Sequence, residues 1–217
     1  MTTTTPTQDS GLLLVVSAPS GAGKTSLLAA LIADDDQLRV AVSHTTRPRR
    51  PGENDGEDYH FVSQAEFAAM LARNDFLEHA EVFGKLYGTA KSAIVSELGR
   101  GRDMILEIDW HGAQQIRKRL PLAVSIFIMP PSRAALVERL NARGQDDPDV
   151  IAARSAEAAI ELAHYDDFDY VVINDRFDAA LDDLRAIVKA ERLRLGYQSQ
   201  SLESHVAALL SEGKSIK

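Results

Sequence analysis

Residues 12–28 read LLLVVSAPSGAGKTSLL, an apolar run feeding a glycine-rich turn and then a helical pattern. A buried strand, a turn and a helix in that order are what a phosphate-binding loop requires. Successive backbone N–H groups of Ala18, Pro19, Ser20, Gly21, Ala22 and Gly23, proline excepted, can curl around phosphate oxygens. The helix that follows adds the partial positive charge of its first turn. Lys24 would reach the β- and γ-phosphates, and the hydroxyl of Thr25 would hold Mg²⁺ with its waters. Leu27, Leu28, Leu31 and Ile32 mark one side of the helix. The motif G-x-x-x-x-G-K-[ST] is complete except at its first glycine, where Ala18 stands; alanine disrupts least if that position has negative φ. The implied ligand is a nucleoside triphosphate.

Outward from the loop, three further β-branched runs, 104–108, 124–128 and 170–173, read as buried parallel strands beside 12–16. Helical patterns alternate with them, so the expected fold class is α/β, a parallel sheet covered by helices on both faces. Segment 43–91 differs in kind: it is rich in Arg, Pro, Gly, Asp, Tyr and His, with only short candidate strands such as 58–62, and reads as an inserted α+β subdomain. Around 139–156 a helix is broken by Gly144 to Asp147 and restarted by Pro148, with Asp147 as its cap. That helix–loop–helix carries Arg139, Arg143 and Arg154 and is similar to a mobile lid. The expected division is a tail over 1–11, a nucleotide-binding core over 12–42, 92–138 and 157–195, the insert, the lid, and a loosely ordered tail over 196–217. The core closes on an amphipathic helix over 178–195.

Composition narrows the classes. With 24 Lys+Arg against 32 Asp+Glu, the formal net charge of −8 argues against general adhesion to nucleic acid or anionic membrane. There are no cysteines, so neither disulfides nor a thiolate metal site is available. The six histidines show no zinc spacing. The N-terminus lacks a signal-peptide pattern and no apolar stretch is long enough for a membrane span, which leaves the cytoplasm as the expected compartment.

Residues 43–62, SHTTRPRRPGENDGEDYHFV, carry the second constellation. Arg47, Arg50, Tyr59 and Tyr87 are donors suited to a second, acceptor phosphate, bidentate in the arginine case. Taken alone, Arg47 and Arg50 would be a solvated basic turn; beside the phosphate loop and Tyr59 the preference reverses. Glu78, taken alone, would be an exposed carboxylate at a helix end.

The stretch resembles the guanylate kinase signature T-T-R-x-x-R-x-G-E-x-x-G-x-x-Y-x-F, matched at Arg47, Arg50, Gly52, Glu53, Gly56, Tyr59 and Phe61. The resemblance runs on through 76–80, 87–89, 106–109, Arg143 and Gly144, to 173–175, and covers about 12–195. It implies a P-loop kinase fold with a GMP-binding insert and a lid, and Mg²⁺-dependent, reversible transfer of the γ-phosphoryl group of ATP to GMP. ATP, GMP and dGMP are the implied small-molecule partners, with neither nucleic acid nor membrane among them. By the same resemblance Glu78 reads the guanine N1–H and N2–H₂, with Ser43 and Thr89 on the O6 side. Glu107 and Asp109, at a strand end facing the loop, either hold Mg²⁺ waters or organise the GMP site; members of the family often carry Asp at the position of Glu107. His111 stands where many bacterial members carry Gln, and has no assigned role. Lys24, Arg47, Arg143 and Arg154 are the implied catalytic residues. Arg139 is the alternative between a phosphate ligand and a solvated helix face, and Asn174 resembles a residue near the adenine of ATP.

Two rival readings have distinct signatures. A guanylate-kinase-like interaction module would lack a working phosphate loop, whereas Gly23, Lys24 and Thr25 are intact. A P-loop enzyme for another acceptor, or a GTPase, would lack the guanine-reading pattern or carry a guanine-base motif after the last strands.

Overall fold

The computed structural model describes residues 11–142 and 148–212. Strand β1 (Leu13–Ser17) is buried along its whole length, as expected of a continuous apolar run in a sheet covered on both faces. It lies at the centre of a parallel sheet with β2 (Leu38–Val40), β7 (Asp103–Glu107), β8 (Val124–Met129) and β9 (Tyr170–Ile173), in the order β2-β7-β1-β8-β9. Alternate residues of β1 serve opposite layers. Leu14 and Val16 pack with Leu27, Leu28 and Leu31 of α1 (Lys24–Ala33) and with Leu181, Leu184 and Val188 of α7 (Phe177–Arg192). Leu13 and Val15 face Ile94 of α3 (Lys91–Leu98) and Ala113 and Ile116 of α4 (Trp110–Arg119). The chain leaves β1 for the β2–β7 side and later crosses to the β8–β9 side, so the turn after β1 sits where the winding reverses. In open α/β sheets the ligand crevice lies there, beyond the carboxyl ends of the strands.

The insert builds a second sheet of four strands in the order β4-β3-β6-β5, from β3 (His44–Thr45), β4 (His60–Phe61), β5 (Phe76–Val82) and β6 (Lys85–Ala90). Strands β5 and β6 form a hairpin closed at Phe83 and Gly84, both with positive φ. A shift of register between Phe76 and Glu78 marks a bulge that sets Glu78 opposite Thr89. Helix α2 (Gln64–Ala72), started by a capping box of Ser63 and Glu66, stacks Phe67 on Phe76. The sheet leans on α4: Gln115 donates to the His79 carbonyl at 2.6 Å, and Arg119 to that of Leu77.

Helices α5 (Arg133–Ala142) and α6 (Pro148–Leu162) meet through Leu136, Leu140 and Ala158. Because α6 is one helix, the expected boundary between 156 and 157 falls inside it. The expected strand over 58–62 reduces to His60–Phe61. Within the tail expected over 196–217, α8 (Leu195–Glu212) is helical as far as 212, and Tyr197 ties its start to the Leu122 carbonyl at 3.0 Å. No helix of the described residues is long and apolar enough to cross a membrane.

Candidate active site

The turn between β1 and α1 has the geometry of an anion cradle. Gly23, with φ of 94°, caps α1 in a left-handed conformation, and a Cβ there would stand 2.4 Å from Nδ2 of Asn174. The buried Asn174 donates that amide to the Ala22 carbonyl at 2.7 Å. Arg139 donates to the Asn174 carbonyl at 3.0 Å and to that of Ala22 at 3.4 Å. Both residues therefore brace the loop from behind. Arg139 is not on a solvated face, and the Asn174 amide is committed to loop backbone. Ala18 is buried against the sheet, where a side chain as small as a methyl group fits.

Lys24 lies at the mouth of the loop with Nζ donating to the Ile108 carbonyl at 3.3 Å. Thr25 Oγ1 donates to Glu107 Oε1 at 2.7 Å. A hydroxyl and a carboxylate together at a phosphate loop are hard oxygen donors of the kind Mg²⁺ prefers, directly or through water. Of the two sequence-based options for Glu107, this contact favours the metal side. Glu107 also bears on Tyr59, so it stands between the loop and the second sheet.

On that sheet Arg47, Tyr59 and Tyr87 converge. Arg47 sits 5.3 Å over the Tyr59 ring and 5.6 Å over that of Phe61, and Tyr59 and Tyr87 meet edge-to-face at 5.9 Å. Burial and the Glu107 carboxylate push the Tyr59 phenol up to about 12, so it remains a donor at all physiological pH. Glu53 is a residue whose role was not read from the sequence. It holds Arg47 by a bidentate pair at 2.7 and 3.0 Å and accepts the Arg50 backbone N–H at 2.7 Å. The cue was present: a carboxylate six residues past an arginine, across a Pro-Arg-Arg-Pro-Gly turn. The side chain of Arg50 is exposed.

Glu53→Gln should loosen Arg47 without touching the phosphate loop. Losing one charge-assisted fork is worth roughly 1.5–3 kcal/mol, so the affinity for an anion held by Arg47 should fall about ten- to hundredfold while that of the phosphate loop stays put. Steady-state kinetics with each substrate varied in turn will show this. Equal loss for both substrates would disprove a role confined to Arg47.

Glu78 departs most from the view of it as an exposed helix-end carboxylate. It lies on a strand and is 2% exposed. Thr89 Oγ1 donates to its Oε1 at 2.6 Å, and Ser43 Oγ lies 3.0 Å from that hydroxyl. Opposite, Gly112 of α4 leaves room, since a Cβ there would stand 2.7 Å from Glu78 Oε2. Burial pushes this carboxyl up to about 7; the Thr89 hydrogen bond pulls it down, and the charge of Asp109 pushes it further up. Asp109 caps α4 by accepting the Gly112 N–H at 2.9 Å and meets His111 Nδ1 at 3.0 Å. His111, unassigned from the sequence, is thus an Asp109 partner, and it stacks on Trp110. Arg154 lies on α6, Arg143 lies outside the described residues, and the side chain of neither is among those described.

The site therefore offers one anion cradle with a lysine, and beside it a second cluster of cation, phenols and a buried carboxylate suited to a nucleoside monophosphate. Comparison with known proteins agrees. The family model "Guanylate kinase" matches residues 10–191. A guanylate kinase of Alkalilimnicola ehrlichii is 56% identical over 200 residues, covering 92% of this chain and 98% of that one. That of Escherichia coli is 52% identical over 204 residues, covering 93% and 99%. The crystal structure of guanylate kinase from Anaplasma phagocytophilum superimposes with a TM-score of 0.71 at 34% identity, covering 87% of this chain and 90% of that one.

Proposed function

The chain belongs to the guanylate kinase family, and from that membership we propose how its residues divide the transfer of the γ-phosphoryl group of ATP to GMP. The observation that supports this division is the pairing of two distinct clusters across β7, a phosphate loop with Lys24 on one side and Glu78 with Thr89 and Ser43 on the other. The loop amides and Lys24 hold the β- and γ-phosphates of ATP. Arg47, Arg50, Tyr59 and Tyr87 hold the phosphate of GMP, with Glu53 fixing Arg47. Thr25 and Glu107 would hold Mg²⁺, which when bound would supply charge neutralisation at the donor phosphates.

Phosphoryl transfer of this kind depends on in-line placement and charge neutralisation more than on covalent help from the protein. The acceptor is itself a phosphate monoester, already anionic near neutral pH, so its oxygen attacks without a general base. Arg139 and Asn174 keep the loop rigid against that load. Arg143 and Arg154 belong, on the likeness to the family, to a lid that closes on the donor phosphates. Closure of the lid and the second sheet would exclude water, which would otherwise hydrolyse ATP. dGMP lacks only the 2′-hydroxyl and offers Glu78 the same guanine edge.

ADP should form from ATP and Mg²⁺ in a GMP-dependent manner, and the pH dependence should bear the mark of Glu78. Free, its carboxyl titrates at about 7. Guanine N1–H and N2–H₂ donate to the anion and lower that value, so binding GMP expels a proton. The KM for GMP should then fall as pH rises, by as much as about tenfold between pH 6 and 8. Glu78→Gln provides the blank, because titration of the GMP phosphate is common to both proteins. If wild type and variant share one pH profile, Glu78 is not the guanine ligand.

A further inference from the structure

Helix α6 sends a carboxylate into the phosphate loop. Glu161, one residue before the end of that helix, accepts the backbone N–H of Ser20 at 3.2 Å. Ser20 lies inside the loop, and its amide is among those that should meet a donor phosphate. The ammonium of Lys24 acts on the same carboxylate. One anionic side chain thus accepts from a loop amide and lies in the field of the loop lysine, the two kinds of group that a donor phosphate needs.

We propose that Glu161 occupies the place of a nucleotide phosphate on the loop, and that ATP binds by displacing it. This rests on the assignment of the loop as the donor site. The acceptor oxygen is already anionic, so the reaction has no use for Glu161 as a base. A carboxylate left in place would instead repel the incoming phosphates. The helix that carries it is tied to the loop a second way: Ala158 packs with Leu136 and Leu140, and the Leu140 side chain lies 3.2 Å from where a Cβ on Gly21 would be.

The contact should also respond to pH. Burial raises the Glu161 carboxyl to about 7. The groups that face it are Lys24 from α1 and the Ser20 amide, which favour the anion, and Asp109 at the start of α4 and Glu157 of α6 itself, which oppose it. The protonated form gives up its charge and its hold on the loop. Only that fraction of molecules admits ATP freely, and an affinity limited in this way weakens by the inverse of the competent fraction.

Titration calorimetry with a non-hydrolysable ATP analogue, and separately with GMP, tests this on the full chain. Glu161→Gln keeps the shape and removes the charge. The variant should bind the analogue about tenfold tighter than wild type at pH 8 and about twofold tighter at pH 7, with the difference gone by pH 6. GMP affinity should not change. Glu161→Ala should also tighten the analogue, whereas a merely structural carboxylate would leave it weaker. Equal or weaker analogue binding at pH 8 in both variants would overturn the proposal. Lys24→Met in the wild-type and Glu161→Gln backgrounds separates the two readings. Weakened analogue binding in both keeps the loop as donor site whatever Glu161 does, and unchanged binding removes the loop assignment itself.

Discussion

Lys24→Met should lower kcat by a factor on the order of 10²–10⁴ while changing GMP affinity far less. In barrier terms that is roughly 3–5 kcal/mol, the range expected when a cation that follows charge between β- and γ-phosphates is removed from a prearranged site. The position of Lys24 supports the size of the effect. Its Nζ already lies at the end of β7 on the Ile108 carbonyl, within the crevice, and needs little rearrangement to reach a phosphate. Methionine keeps the length of the side chain and its packing, so the fold is spared. The proposed GMP contacts, Glu78, Thr89 and Arg47, lie on the second sheet and should survive. Turnover numbers for both substrates, with GMP affinity measured apart from catalysis, decide it. Near-normal kcat would refute the role of the loop.

The phosphate loop was legible in the sequence because its chemistry is local. A buried strand, positive-φ glycines, lysine, threonine and a helix occupy consecutive positions, and nothing distant is needed to read them. Strands β1, β7 and β8 were legible for a related reason: parallel strands buried on both faces leave unbroken apolar runs, whereas β9, expected to be buried, lies at the sheet edge with Val171 and Ile173 exposed. Strand β2 was missed because its three residues, of which only Leu38 is buried, carry no period to detect. The β5–β6 hairpin was missed because Phe76–Val82 mixes charged and apolar residues and turns at a Phe-Gly pair. Helix α8 was not legible because few of its apolar residues have a partner to pack against, and Leu209 and Leu210 stay exposed.

The same distinction governs the site. Arg47 and Tyr59 lie within one short motif, and the structure brings them together. Glu78 was singled out only through the family likeness; its burial depends on a bulge opposite Thr89 and on the small side of α4 at Gly112. Glu161 reaches Ser20 across 141 positions of sequence and Glu107 reaches Thr25 across 82. On a helix pattern alone, Glu161 is one more carboxylate on a polar face. Only the tertiary arrangement of α6 over the loop distinguishes it.

Glu78→Gln should lower the efficiency with GMP and narrow the preference for GMP over AMP. In the proposed role the carboxylate would accept from N1–H and N2–H₂ of guanine, whereas adenine would present an acceptor at N1 and no donor at C2. In a pocket where Glu78 is 2% exposed, that mismatch strands a buried acceptor without a partner. Sites built to hydrogen-bond a substrate group discriminate by as much as ~10⁴–10⁵ against analogues that lack it. Glutamine keeps the size and one acceptor but adds a donor, so it gives up part of the guanine match and relieves part of the adenine penalty. Lys24 and the loop are untouched, and the KM for ATP should hold. The decisive measurement is kcat/KM for GMP and for AMP, in wild type and in Glu78→Gln, at saturating ATP and Mg²⁺. The account predicts a strong wild-type preference for GMP that shrinks by at least about 10²-fold in the variant, through loss with GMP and gain with AMP. A wild type that uses AMP as well as GMP, or a variant that preserves the wild-type ratio, would contradict it.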